Sequence, residues 1–212
     1  MNVKSVINKR IFFSLLLFLF FGALYAQNAG FKPQWFLGAK GGATFSMVNF
    51  SPTAGQGFTF GANGGFMARY LSHKNVGLQF EILYAEKGWK EAKSNYNRKL
   101  TYVSLPFVTH ITFGNKIVRG IINLGPEISY LCIDKGIANA ETTQYRPVKN
   151  KFDYGIVGGL GIELRSKKAG IYQLEGRYYF GIGNLYGARA TDYFRMSSNQ
   201  SISVNLAVLF GL

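Results

Sequence analysis

The residues Ser201–Leu212 alternate between two sets: Ile202, Val204, Leu206, Val208, Phe210 and Leu212 against Ser201, Ser203, Asn205, Ala207, Leu209 and Gly211. A period of two places the first, wholly apolar set on one face of a strand and the smaller or more polar set on the other. Seven earlier stretches repeat the pattern. Trp35, Leu37, Ala39, Gly41, Ala43 and Phe45 oppose Lys40, Gly42 and Thr44. Phe58, Phe60, Ala62, Gly64, Phe66, Ala68 and Tyr70 oppose Thr59, Asn63 and Arg69. Val76, Leu78, Phe80, Ile82 and Tyr84 stand against Gln79, Glu81 and Lys87. Val103, Leu105, Phe107, Ile111 and Phe113 stand against Tyr102, Ser104 and His110, with Thr109 a polar interruption. The fifth stretch sets Ile122, Leu124, Ile128 and Tyr130 against Arg119, Asn123, Glu127 and Ser129. The sixth sets Tyr154, Ile156, Leu160, Ile162 and Leu164 against Asp153, Glu163 and Arg165. The seventh sets Tyr172, Leu174, Tyr178 and Phe180 against Gln173, Glu175, Arg177 and Tyr179.

Eight strands of roughly 9–11 residues or slightly more match an all-β, eight-stranded antiparallel up-and-down transmembrane β-barrel. A bilayer admits strands only in closed form, because an open edge leaves unpaired amides in hydrocarbon. The connections Leu71–Asn75, Gly114–Ile117 and Ser166–Ala169 are short. Ser46–Gly57, Gly88–Lys99, Cys132–Phe152 and Gly183–Asn199 are long. Short periplasmic turns alternate with longer external loops in outer-membrane barrels, so both termini are expected in the periplasm. A soluble eight-stranded barrel would turn its polar face to water and crowd it with Lys and Glu. Here that face is dominated by Gly, Ser, Thr and Asn with few charges, which suits a narrow, packed interior. Aromatics near the stretch ends, such as Trp35, Tyr70, Tyr84 and Phe210, resemble interfacial girdles.

The first residues have a different character. Lys4, Lys9 and Arg10 precede an apolar run, Ile11–Phe21, too short to span a membrane, and Ala23 and Ala26 supply small residues near a cleavage point. The expected organisation is a cleaved signal peptide at 1–26, a short periplasmic segment at 27–34 and the barrel at 35–212. Removing Lys4, Lys9 and Arg10 with the leader lowers the formal net charge from +14 to +11. That excess favours an anionic neighbour, and export favours a bacterial outer membrane rich in lipopolysaccharide over nucleic acid. The lone Cys132 has no internal disulfide partner.

Along the inward faces lie Lys40, Arg69, Glu81, Arg119, Glu127, Glu163, Arg165, Glu175 and Arg177. They are expected to neutralise one another and plug the interior, since an unpaired buried charge is costly. The alternative for these groups is a proton path or a polar ligand site. Around the long loops lie Lys87, Lys90, Lys93, Arg98, Lys99, Lys135, Arg146, Lys149, Lys151, Arg189 and Arg195. Of these, Lys90, Lys93, Arg98, Lys135, Arg146 and Lys149 are the candidates for contact with lipopolysaccharide phosphates, against the plainer reading of a solvated loop surface. An enzyme is not expected. His73 falls in a short turn, and His110 lies six residues, about 20 Å, from Ser104 on one strand, with no carboxylate identifiable as its orienter. Clustered His or Cys ligands are missing from the sequence, so neither a metal nor a cofactor is expected.

Tyr102-Val103-Ser104-Leu105-Pro106-Phe107 resembles the Y-(I/L/V)-x-(I/L)-P-(L/F) strand of the PorT-like outer-membrane β-barrel proteins. Gly125–Tyr130, Phe152–Gly155, Gly159–Glu163 and Tyr178–Asn184 continue the resemblance in order and spacing across about Trp35 to Leu212. Leu212 departs from the aromatic last residue common in outer-membrane barrels. The resemblance implies an eight-stranded barrel in a Gram-negative outer membrane, and most such proteins have no assigned activity. The member that gives the family its name belongs to type IX protein secretion, but the shared motifs are those of a fold. The expected function is therefore a monomeric structural, adhesive or envelope-assembly barrel. A secretion component with envelope partners and a small-solute porin are the alternatives.

Overall fold

The computed structural model describes residues 31–51, 55–91, 97–137, 148–166, 169–186 and 196–212. The expected leader at 1–26, and residues 27–30 of the segment at 27–34, lie outside the described residues. Eight long strands carry the fold: β1 Gln34–Ser51, β2 Thr59–Leu71, β3 Val76–Glu91, β4 Asn97–Gly114, β5 Val118–Ile137, β6 Phe152–Ser166, β7 Gly170–Gly181 and β8 Met196–Gly211. A two-residue rung, Gln56–Gly57, lies just before β2 and pairs with Glu91 and Lys90 of β3. Each strand pairs antiparallel with its neighbours in sequence, and β8 returns to β1 from Phe36↔Gly211 to Ser51↔Met196. The result is a closed eight-stranded antiparallel up-and-down barrel, in which each strand has two partners.

The alternation in sequence becomes two faces of one wall. Phe66, Leu160 and Leu206 look outward with relative exposures of 74, 66 and 66%. An apolar surface of that extent requires lipid rather than water around it. Among the described residues no helix is long and apolar enough to cross a membrane, so crossing falls to the strands.

Two features of the wall depart from the expected layout. The strands continue past the apolar band at the end away from the short turns, and the second connection shrinks to residues 92–96. The reason is that the alternation inverts there. Val48, Phe50, Trp89, Leu100, Tyr102 and Leu131 point inward, whereas Asn49, Ser51 and Lys90 face out. Beyond the bilayer an outward residue meets water, and the apolar members of each pair turn to the interior. The opposite end follows expectation, with tight connections at Ser72–Asn75, Asn115–Ile117 and 167–169. Gly114 and Gly170 flank two of these turns at φ of 127° and 88°, which side chains with a Cβ rarely adopt.

The backbone ladder is also broken at mid-wall. Between β3 and β4 the regular pairing stops after Phe80↔Phe107 and resumes at Leu83↔Ser104; between β4 and β5 it stops after Pro106↔Glu127 and resumes at Thr109↔Leu124. Pro106 and Pro126 sit at these gaps. Proline has no N–H to give to a neighbour, so a ladder loses its rung there.

Candidate functional site in the barrel lumen

The lumen is stacked in layers, each built from inward positions of several strands. Toward the short turns, the β7, β8, β1 and β2 side carries a small apolar cluster of Met67, Ile171, Ala207 and Leu209, with Phe36 packed against it. Beside it, Arg69 crosses the interior. Its Nη1 donates to Glu163 Oε2 at 2.9 Å, its Nε to Gln79 Oε1 at 2.8 Å and its Nη2 to Gln173 Oε1. Glu163 also receives Arg165 Nε at 2.6 Å, and His110 Nε2 lies 3.6 Å away.

The next layer is the densest. Arg177 holds Glu81 bidentately, at 2.9 and 2.7 Å, and reaches Glu175 Oε2 at 3.0 Å. Lys40 Nζ lies between the same two carboxylates, 3.2 Å from Glu81 and 2.9 Å from Glu175. Asn123 Nδ2 donates to Glu175 at 2.7 Å and links this layer to His110, whose Nδ1 is 2.7 Å from Asn123 Oδ1. Gln173 Nε2 joins Glu175 at 3.3 Å. Lys40, Glu81, Glu175 and Arg177 come from β1, β3 and β7, so the web ties strands that share no backbone rung.

One layer higher, Lys87 Nζ meets Glu127 Oε1 at 3.1 Å and stands 3.7 Å above the Tyr179 ring. Asn199 bridges Asp153 at 2.8 Å and the Tyr102 hydroxyl at 3.1 Å. Among the described residues below the lid, then, six cations (Lys40, Arg69, Lys87, Arg119, Arg165, Arg177) stand with five carboxylates (Glu81, Glu127, Asp153, Glu163, Glu175), and all but Arg119 and Asp153 share an ion pair. Pairing is kept where burial makes a lone charge costly. A cavity of about 40 Å³ remains among Lys40, Thr44, Asn63, Lys87, Ser203 and Asn205, the volume of a few water molecules.

The mouth is closed by apolar groups. Phe50, Trp89 and Tyr186 pack edge-on or tilted at centroid distances of 5.3 to 6.4 Å, with Val48, Leu100, Leu131, Val148 and Leu185 around them. Two loop stems hold this lid down: Lys149 N and Asn150 N both donate to Leu185 O, and Leu185 N donates to Ser197 O. Arg98 sits at the edge of the lid, forked onto Asp134 at 2.7 and 2.6 Å and donating to Tyr186 Oη at 2.8 Å. Burial pushes the Asp134 carboxyl up, but the Arg98 fork and the Val148 N–H outweigh it and hold it below its ordinary value.

The expected interior set is thus gathered unevenly. Lys40, Arg69, Glu81, Glu163, Arg165, Glu175 and Arg177 share one web. Glu127 belongs to a separate pair, and Arg119 lies at the turn rim, bonded to Lys74 O and Asn75 Oδ1 rather than to a carboxylate. Gln79, Asn123 and Gln173 are connectors that charge alone does not flag, although their inward parity marks them. Among the loop cations one correction is needed. Arg98 points into the lumen, 4% exposed, because β4 runs on past the bilayer and keeps its inward parity; Lys87, 3% exposed, takes the inward place its strand parity predicts although it borders a loop. Lys90, Lys135, Lys149 and Lys151 are exposed and Lys99 is half-buried; Lys93, Arg146, Arg189 and Arg195 lie outside the described residues.

Ser104 and His110 have different partners, Ser129 Oγ at 2.7 Å and Asn123, so they form no nucleophile–base pair. His73 contacts Ser72 in its turn. What the lumen does chemically is to satisfy itself. Gly159 makes that possible: a Cβ there would fall 2.2 Å from Glu175 Oε1. Gly159→Val is expected to displace Glu175 and destabilise the barrel by about 1–3 kcal/mol, read by urea unfolding in micelles.

Comparison with solved structures finds barrels of the same kind. The outer membrane protein OprG from Pseudomonas aeruginosa aligns with a TM-score of 0.55 at 12% identity, over 85% of this chain and 98% of that one. Neisserial surface protein A aligns at 0.49 and 13% identity, over 85% and 100%. Ail, the attachment invasion locus protein of Yersinia pestis, aligns at 0.46 and 11%, over 84% and 99%. At such identities the OprG likeness is one of fold. No curated protein matches by sequence. The model of one family, described as the outer membrane protein beta-barrel domain, matches residues 25–187, about three-quarters of the chain. With a closed ring, a lipid-demanding exterior and that match, the chain belongs to the outer membrane beta-barrel domain family.

Proposed function

We propose that this barrel serves the outer membrane as a closed structural, adhesive or envelope-assembly element rather than as a conduit. The observation that carries the reading is the lumen, filled by paired charges and capped by an aromatic lid. In this reading the protein is a monomer with both termini and the short turns in the periplasm. The opposite end, with Lys90, Lys135 and Lys149, then lies among lipopolysaccharide phosphates.

The purified barrel in planar bilayers is expected to show no steady conductance, and a stable open level would overturn the closed reading in favour of a small-solute porin. Orientation is tested separately in a Cys132→Ser background. A cysteine replacing Lys149 should react with an impermeant maleimide on whole cells, and one replacing Lys116 should not.

A PorT-like role in secretion is the second reading, and it rests on the Tyr102–Phe107 motif. The motif residues have work inside the fold: Tyr102 bonds Asn199, Ser104 bonds Ser129, and Pro106 marks a ladder gap. They therefore support the barrel more directly than any partner. Reproducible crosslinking to secretion proteins would favour this alternative.

A further inference from the structure

One contact on the outer wall runs against ordinary sheet chemistry. Lys99 of β4 and Lys135 of β5 are directly opposite in register. Like charges at opposed positions destabilise a sheet unless something neutralises them. Among the described residues no carboxylate forms an ion pair within 4 Å of either lysine. Asp134 is turned inward and taken by Arg98, and Glu86 accepts from Ala62 N and Tyr84 Oη.

The wall beneath the two lysines is apolar. A register shift at Thr101/Tyr102 accommodates an extra residue in β5, so that Ile133, 42% exposed, comes opposite Thr101, directly next to the lysine pair. Below it stand Val103 and an edge-to-face pair of Tyr130 and Phe152 with centroids 5.0 Å apart. Two cations one step above an apolar, aromatic strip match a ligand with a phosphate head and hydrocarbon tails.

We propose that Lys99 and Lys135 together seat one phosphate of a phosphorylated, acylated glycolipid of the outer leaflet, with an acyl chain lying along Ile133, Val103 and Phe152. The site rests on the reading that this end of the barrel faces outward. It goes further by assigning the phosphate to two residues on the strand wall rather than to the loop collar at large. The register gives the effect a sign that a diffuse basic surface lacks. Without the glycolipid the lysine pair repels itself, and with it the pair is a clamp.

The test uses the mature barrel in an uncharged detergent, so it does not depend on orientation and its failure is separable from that of the topology. Binding of bisphosphorylated lipid A is followed by native mass spectrometry and thermal unfolding. Dephosphorylated lipid A and phosphatidylglycerol serve as comparison lipids. Wild type is expected to prefer the phosphorylated glycolipid, and K99Q/K135Q to lose at least about tenfold in affinity. K149Q/K151Q should lose little.

In detergent alone Lys99→Gln should raise the unfolding midpoint, whereas saturating lipid A should stabilise wild type more than the variant. Equal binding of the phosphorylated and dephosphorylated forms would overturn the proposal, as would an unchanged affinity in K99Q/K135Q. Equal, lysine-dependent binding of phosphatidylglycerol would reassign the seat to anionic lipid in general and so overturn the glycolipid claim. If the double variant fails to fold, Lys135→Gln, whose side chain is exposed, gives the same readings.

Discussion

Arg177→Met is expected to lower the stability of the folded barrel by about 3–5 kcal/mol, the usual consequence of removing one partner from a buried ion pair. Among the described residues Arg177 alone grips Glu81 with two nitrogens while also touching Glu175, and methionine keeps much of its stem while deleting the charge. Two carboxylates would then face Lys40 alone. Unfolding by urea in micelles, followed by tryptophan fluorescence and by heat-modifiable migration in gels, reads the loss. A companion, R177M/E81L, leaves Lys40 paired with Glu175 and should recover much of the stability, because removing both partners leaves no charge stranded. If Arg177→Met alone proves neutral, the ion-pair web does not hold the interior together.

Leu206→Arg is expected to cost about 2–4 kcal/mol, for an unrelated reason. Leu206 faces outward at mid-strand, opposite Gly41 of β1 and Leu174 of β7. A guanidinium there must sit in hydrocarbon or drag water toward it. The same substitution at Ser51, on the outward face of β1 beyond the apolar band, should cost no more than about 1 kcal/mol. Refolding into vesicles of defined lipid and comparing denaturant midpoints gives both values. Equal effects at the two depths would mean that no bilayer surrounds the middle of the wall.

The wall was legible in the sequence because one rule, apolar out and polar in, governs most residues of the band in contact with lipid, with Thr109 an outward exception. Phe66, Leu160 and Leu206 obey it, and the parity they set also predicts that Lys40, Glu81, Glu175 and Arg177 face inward. The rule stops where the bilayer stops. Arg98 was misplaced because a basic residue near a long connection resembles a loop residue when the strand boundary is drawn at the end of the apolar band. Val48, Phe50, Trp89, Leu100 and Tyr102 carry the correction: an alternation of inverted polarity, continuing in phase with the strand below it. The pairing inside the lumen was not legible, because the Lys40–Glu175 contact joins residues 135 positions apart and depends on side-chain reach across the cylinder.

The two proline gaps give the cylinder a soft side. Pro106 lies in β4 between β3 and β5, and the Lys87–Glu127 pair reaches from β3 to β5 past that strand, with Glu127 opposite Pro106 itself. Elsewhere adjacent staves are bolted by amides; here an electrostatic strut carries part of the load from within. Lateral pressure from the surrounding lipids would be absorbed first along this seam. Amide exchange at Leu105, Phe107 and Val108 should therefore outpace that of residues at the same depth in β7 and β8.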